Sequence, residues 1–135
     1  MSTVLEGACL CGSITYTASG EPQRFLHCHC SRCRRASGTG HASNVIMEGK
    51  LEFASGAELL KRYKVPEAER FSNVFCSNCG APMPRAIKGT SRVVIPAGSL
   101  LNDPGIAPAA RIFWDSRTAW SCSQDPLPVF AEYPS

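Results

Sequence analysis

The chain has 135 residues, of which 44% are hydrophobic and 19% charged, with a formal charge of +3. That length suits a single domain over residues 1–135 with a modest core, and the ordinary apolar share excludes a disordered chain. No run approaches the roughly 20 apolar residues of a membrane-spanning helix. The opening Met1-Ser2-Thr3-Val4-Leu5-Glu6 also lacks the basic-then-apolar pattern of a secretory leader. The expected setting is therefore the reducing cytoplasm, where clustered cysteines read as metal ligands or redox groups rather than disulfides.

In chain order, Ile14-Thr15-Tyr16-Thr17 alternates as a strand after a turn at Gly12-Ser13, and Arg24-Phe25-Leu26-His27 forms a second. Ser31 to Ser37 fits a short helix with Ser31 as N-cap and Gly38 as its end. His41 to Met47 and Leu51 to Ala54 read as two strands around a turn at Glu48-Gly49-Lys50. Leu59 to Lys64 and Arg70 to Phe75 follow, then the β-branched run Arg92-Val93-Val94-Ile95. A single turn around Asp103-Pro104 and a late strand, Arg111-Ile112-Phe113-Trp114, complete the set. Ten prolines and eleven glycines favour short strands joined by turns, so the class is mainly β with curved antiparallel sheets.

Eight cysteines carry the chemistry. Cys9-Leu10-Cys11-Gly12 is a C-x-C pair, Cys28-His29-Cys30-Ser31-Arg32-Cys33 a C-x-C-x-x-C trio, and Cys76-Ser77-Asn78-Cys79-Gly80 a C-x-x-C knuckle; Cys122 stands alone and reads as a small packed residue. A tight turn with two thiolates suits tetrahedral zinc, but a closed structural site needs four ligands. The first pair could complete the knuckle, giving Cys9, Cys11, Cys76 and Cys79 and closing a loop of about 65 residues. Cys28, Cys30 and Cys33 supply three ligands by themselves, and three with an open fourth position mark a catalytic zinc. A lesser alternative makes the trio a second closed site with His27, His29 or His41 as fourth ligand. Disulfides are a weaker reading of the even count, and a thioredoxin-like role for Cys76 and Cys79 lacks the βαβ context. Seven thiolates and two zinc ions would cancel the formal +3, so the charge does not argue for nucleic acid. Arg32, Arg34 and Arg35, the one tight basic group, could instead offset a thiolate-rich zinc or bind a substrate carboxylate.

In this order and spacing the motifs resemble the glutathione-dependent formaldehyde-activating family, also called the CENP-V domain family. Gly7-Ala8-Cys9-Leu10-Cys11-Gly12 with Tyr16 is similar to the family's opening, Cys28 to Arg34 with Ser37-Gly38 to its centre, and Phe75-Cys76-Ser77-Asn78-Cys79-Gly80 to its knuckle. Ala97 to Leu100, Asp103-Pro104, Trp120 and Leu127 to Phe130 resemble its closing pattern. The resemblance implies a β-tent fold. It also implies a structural zinc on Cys9, Cys11, Cys76 and Cys79 and an active-site zinc on Cys28, Cys30 and Cys33, the second site being the one that could be partly occupied. The implied activity is that of a carbon–sulfur lyase joining glutathione to formaldehyde as S-hydroxymethylglutathione. His29, Ser37 and His41 are candidate proton donors by their nearness in sequence alone, each more readily read as structural. The late strand departs from the family, which more often has a histidine near Arg111 and a small aliphatic near Trp114. The expected partners are thus a small thiol and an aldehyde, with no nucleic acid and no membrane. The rival reading is a non-catalytic zinc module that binds a protein or a small thiol.

Overall fold

A computed structural model describes residues 2–69, 71–121 and 126–134. Cys122 lies outside the described residues, as does Arg70 at the start of one expected strand. The elements run β1 (Thr3–Ala8), β2 (Thr15–Cys28), α1 (Ser31–Ser37), β3 (Ala42–Ser55), β4 (Leu60–Lys64), β5 (Ser72–Cys76), β6 (Arg85–Ala86), β7 (Arg92–Pro96) and β8 (Ala110–Ile112). The protein is mainly β, as expected. Six strands form one sheet in the order β1-β2-β3-β7-β6, with β8 joined in parallel to the end of β2; β4 and β5 form a separate antiparallel pair.

Two long strands dominate, and they differ from the expectation. Apart from Ile14, which precedes it, the segments Ile14–Thr17 and Arg24–His27 belong to one strand, β2, whose pairing with β3 slips between Pro22 and Arg24. Likewise Glu48-Gly49-Lys50 is no turn, because β3 runs straight through it. Gly49 faces Gly20 across the pair, and a methyl at either position would overlap the opposing backbone. The glycines thus permit a close crossing of two coiled strands, the second common use of glycine in a strand besides a break. β1 has no counterpart in the sequence reading, since in Thr3–Ala8 the adjacent Val4 and Leu5 break any apolar–polar alternation.

The core follows the period-2 rule for a sheet with one buried face. Leu5 of β1, Tyr16 and Ala18 of β2, Val45 and Met47 of β3, and Val93 and Ile95 of β7 are all buried in one cluster. Ile14 just before β2, Val74 and Cys76 of β5, Met83 beyond it and Cys9 after β1 complete that cluster.

Helix α1 has the expected span, but Cys30 rather than Ser31 caps it. The Cys33 backbone N–H donates to Cys30 Sγ at 3.3 Å, and Gly38, at φ 72°, ends the helix. Asp103-Pro104 forms no helical turn; Asp103 Oδ1 accepts from the Gly105 N–H at 2.7 Å instead, and a short 3-10 turn lies earlier, at Ala97–Ser99. β8 stops at Ile112, short of the expected Trp114, because Phe113 adopts the left-handed region at φ 54° and turns the chain into a 3-10 segment, Trp114–Ser116.

Candidate metal centres and the cavities beside them

The sheet brings the cysteine motifs into two groups. In the first, the Sγ atoms of Cys9, Cys11, Cys76 and Cys79 all lie within 4.8 Å of one another. The two turns that supply them are built alike. Gly12 N–H donates to Cys9 O at 3.1 Å and Gly80 N–H to Cys76 O at 2.7 Å, and both glycines sit at φ 79°, a backbone shape that glycine alone takes without strain. Both turns also aim donors at sulfur. Ile14 N–H donates to Cys9 Sγ and Asn78 Nδ2 to Cys11 Sγ, each at 3.2 Å. Hydrogen bonds from Ser13 and Asn78 hold the Cys11 thiol down to about 5, and a backbone N–H at Ala81 lowers that of Cys79, whereas burial raises that of Cys76.

The second group is Cys28, Cys30 and Cys33, also with all sulfurs within 4.8 Å. It is local. Cys28 ends β2, Cys30 caps α1 and Cys33 lies in the helix's first turn. β8 fixes the end of β2, pairing Ile112 with Cys28, and the His29 N–H donates to Ile112 O at 2.9 Å. Hydrogen bonding from Cys33 holds the Cys28 thiol down to about 6, whereas the neighbouring Cys28 sulfur and burial push Cys33 far above its ordinary value. Three thiolates at this spacing cannot all ionise without a cation among them.

Both donor sets fit a metal. A tetrahedral ion with zinc–sulfur bonds of about 2.3 Å places its sulfurs about 3.8 Å apart. Cys9 and Cys11 Sγ are 3.6 Å apart, and Cys11 and Cys76 Sγ are 4.0 Å apart. All seven described cysteines are unbridged. The two clusters could bind metal ions, and all-sulfur sets of this size are compatible with zinc.

None of the three histidines joins either group. They stack with each other instead: the His27 and His41 rings lie 4.0 Å apart, and His29 lies 5.0 Å from His41 and 5.1 Å from the Trp114 ring. His29 is fully buried with neither ring nitrogen in a hydrogen bond. The three expected proton-donor candidates therefore separate. His41 and Ser37 line a cavity of about 640 Å³ that reaches from Cys9 and Leu10 of the first group to Cys33 of the second, and His29 does not. Ser37 Oγ donates to Cys33 O at 2.7 Å, which commits its proton to the helix.

A second cavity, of about 500 Å³, is lined by all three sulfurs of the trio, with Arg32, Ile112 and Phe113. Of the basic group, Arg32 faces it, while Arg34 and Arg35 line neither cavity. Phe113, not Trp114, is the late aromatic on its wall; Trp114 packs against His29 and under the Arg111 and Arg117 guanidinium groups. Cys33, Asn44, Phe71 and Arg85 line both cavities. Arg85 is the site residue that motif reading passed over. It sits on the two-residue strand β6, six residues after Cys79 but outside the knuckle motif, and the pairing of Arg85 with Val94 of β7 carries it there.

The sequence pattern of the glutathione-dependent formaldehyde-activating enzyme matches residues 4–116. The chain belongs to that family. Trp120 and Leu127–Phe130 lie beyond the matched residues. No curated protein sequence matches the chain. Among solved structures, the crystal structure of a Rhodobacter sphaeroides protein is similar, with a TM-score of 0.52 and 21% identity over 78% of this chain and 98% of that one. That likeness concerns the fold and agrees with the curved antiparallel architecture expected of the family. No helix among the described residues is long and apolar enough to cross a membrane.

Proposed function

We propose that the protein is a zinc-dependent enzyme of carbon–sulfur bond chemistry, a lyase by reaction class, that joins a small thiol such as glutathione to an aldehyde such as formaldehyde. One observation carries the reading: three cysteine sulfurs converge on a point that opens onto a cavity of about 500 Å³, within the range of small-ligand sites. Membership of the family supports it. Residues 1–135 act as one domain in this reading, and a cytoplasmic setting keeps the thiolates reduced.

Cys9, Cys11, Cys76 and Cys79 would hold a structural zinc, and Cys28, Cys30 and Cys33 the active-site zinc. When bound by three protein thiolates, zinc supplies Lewis acidity that lowers the pKa of a substrate thiol. The chemistry then balances simply. The thiol loses its proton, its sulfur lone pair forms the new S–C bond, the carbonyl π bond breaks, and the oxygen takes up a proton to give the S-hydroxymethyl product. The chain's own residues orient the two reactants and handle the protons. His41 lines the neighbouring cavity of about 640 Å³, which Cys33 also borders, rather than the one lined by all three cysteines, and from there it is the candidate to exchange a proton, with Ser43 Oγ 3.3 Å from its Nδ1. His29, sealed from both cavities, supports the trio by packing.

The test is a screen of thiols and aldehydes for product formation, repeated with Cys30→Ser. Turnover is expected with the native protein and its loss, by at least about a hundredfold, with the variant. Ligand binding without turnover in the native protein would sink the enzyme reading in favour of a zinc module that only binds.

A further inference from the structure

Arg85 is a half-buried guanidinium with unusual company. It borders both cavities beside the cysteine trio, and a third cavity of about 420 Å³ as well. That third cavity is lined by Lys50, Arg62 and Arg92 besides Arg85, and by no carboxylate among the described residues. The Arg85 guanidinium lies over the Phe71 ring, 5.9 Å from its centre. Arg62, itself anchored by a 3.0 Å hydrogen bond from its Nη1 to Ser72 Oγ, is close enough to oppose the charge of Arg85. Burial opposes that charge more strongly, and the Cys33 sulfur would favour it only when ionised.

Two repelling arginines at a cavity wall, Arg85 half-buried and Arg62 exposed, form an arrangement that a bound anion would stabilise. Among the described residues neither has a carboxylate within ion-pair distance. The trio answers part of the need, but with a divalent metal bound its three thiolates retain a single net negative charge. A planar guanidinium with free donors facing a cavity matches a carboxylate in shape and charge.

We propose that Arg85, backed by Arg62, is the receptor for a carboxylate of the thiol substrate, so that the site selects acidic thiols over neutral ones. The identity of the ligand rests on the carbon–sulfur reading above; the anion preference rests on the arginine pair. A neutral thiol of the same size would leave the guanidinium unpaired in the cavity wall, and that penalty is the source of the discrimination.

Calorimetric titration of the zinc-loaded protein with glutathione and with glutathione diethyl ester, which masks both carboxylates, tests this. The native protein is expected to bind the free acid about 10- to 100-fold more tightly than the ester. Arg85→Gln should lose that preference while binding the ester as the native protein does. Arg85→Lys, which keeps the charge and the apolar stem, should lose only part of it and serves if the glutamine variant fails to fold. Equal affinity for acid and ester in the native protein, no binding of glutathione, or variants that weaken both ligands alike would overturn the inference; the last is what a guanidinium serving only the sulfurs would give. Turnover is read separately. A preference for the acid without product would defeat the carbon–sulfur reading and leave the carboxylate site standing, whereas product formed with equal affinity for both thiols would do the reverse.

Discussion

The two cysteine clusters use the same atoms in opposite ways. The four-cysteine cluster is assembled from turns 65 residues apart, Cys11 meeting Cys76, and two of its members, Cys9 and Cys76, belong to the main apolar core, with Cys79 packed against it. The trio comes from six consecutive residues at one strand end and one helix cap, and its sulfurs take no part in that core cluster. A cluster that depends on distant parts of the chain can form only if the fold forms, so metal binding there is folding free energy. A cluster nearly complete within one local segment can gain or lose a metal while the sheet persists. Location relative to the core, more than ligand identity, separates a stabilising centre from one free to do chemistry.

The largest expected effect tests that separation. Cys79→Ser should abolish cooperative thermal unfolding, because structural zinc sites contribute about 10–16 kcal/mol in isolated peptides, as much as the roughly 5–15 kcal/mol that holds a typical domain. Cys30→Ser should leave the circular dichroism and cooperative transition in place while metal analysis shows one zinc fewer. Equal collapse of both variants would erase the distinction and make the trio structural.

The same contrast explains what could be read in advance. Ligand counting and motif spacing reveal both clusters, because C-x-C and C-x-x-C turns are local geometry. Strand identity was legible where β-branched residues run together, as at Arg92–Ile95, now within β7. The continuity of β2 and β3 was not, since Gly20 and Gly49 look like chain breaks until the opposing backbone is known. Nor was the N-cap: Ser31 is the better cap by type, but Cys30 Sγ takes that role as part of the trio. Arg85 was invisible for a different reason. Its place in the site depends on β6 pairing with β7, a tertiary fact with no local signal.

A smaller effect sharpens the comparison at the level of a single hydrogen bond. Asn78 donates to Cys11 Sγ across the two turns of the four-cysteine cluster, and no such side-chain amide serves the trio among the described residues. Asn78→Ala should weaken zinc at the structural centre by about 10- to 100-fold, as removal of partners to metal ligands generally does. Competition with a chelator, followed by zinc released per chain, measures it. Release of the trio's zinc should be unchanged; a change in both would mean that the centres are coupled through the cavity they share at Cys9 and Cys33.

The smallest effect concerns the wall of the trio's cavity. Phe113 holds φ 54° with 62% of its surface exposed, so it gains little from packing to offset a left-handed backbone. Strain of this kind in a bulky residue costs about 1–2 kcal/mol. Glycine would remove it but lose about 0.5–1 kcal/mol through the greater entropy of its unfolded chain. Phe113→Gly should therefore raise stability by a few tenths to about 1 kcal/mol, read as a small increase in the denaturant midpoint at constant slope. If the aromatic ring is kept for the substrate, the same variant should weaken thiol binding in the cavity that Phe113 lines while zinc content stays constant. Stabilisation with weaker binding would mark Phe113 as strain maintained for function. Destabilisation would show instead that its ring contributes more packing than its exposure indicates, and would place the cavity wall with the structural half of the molecule.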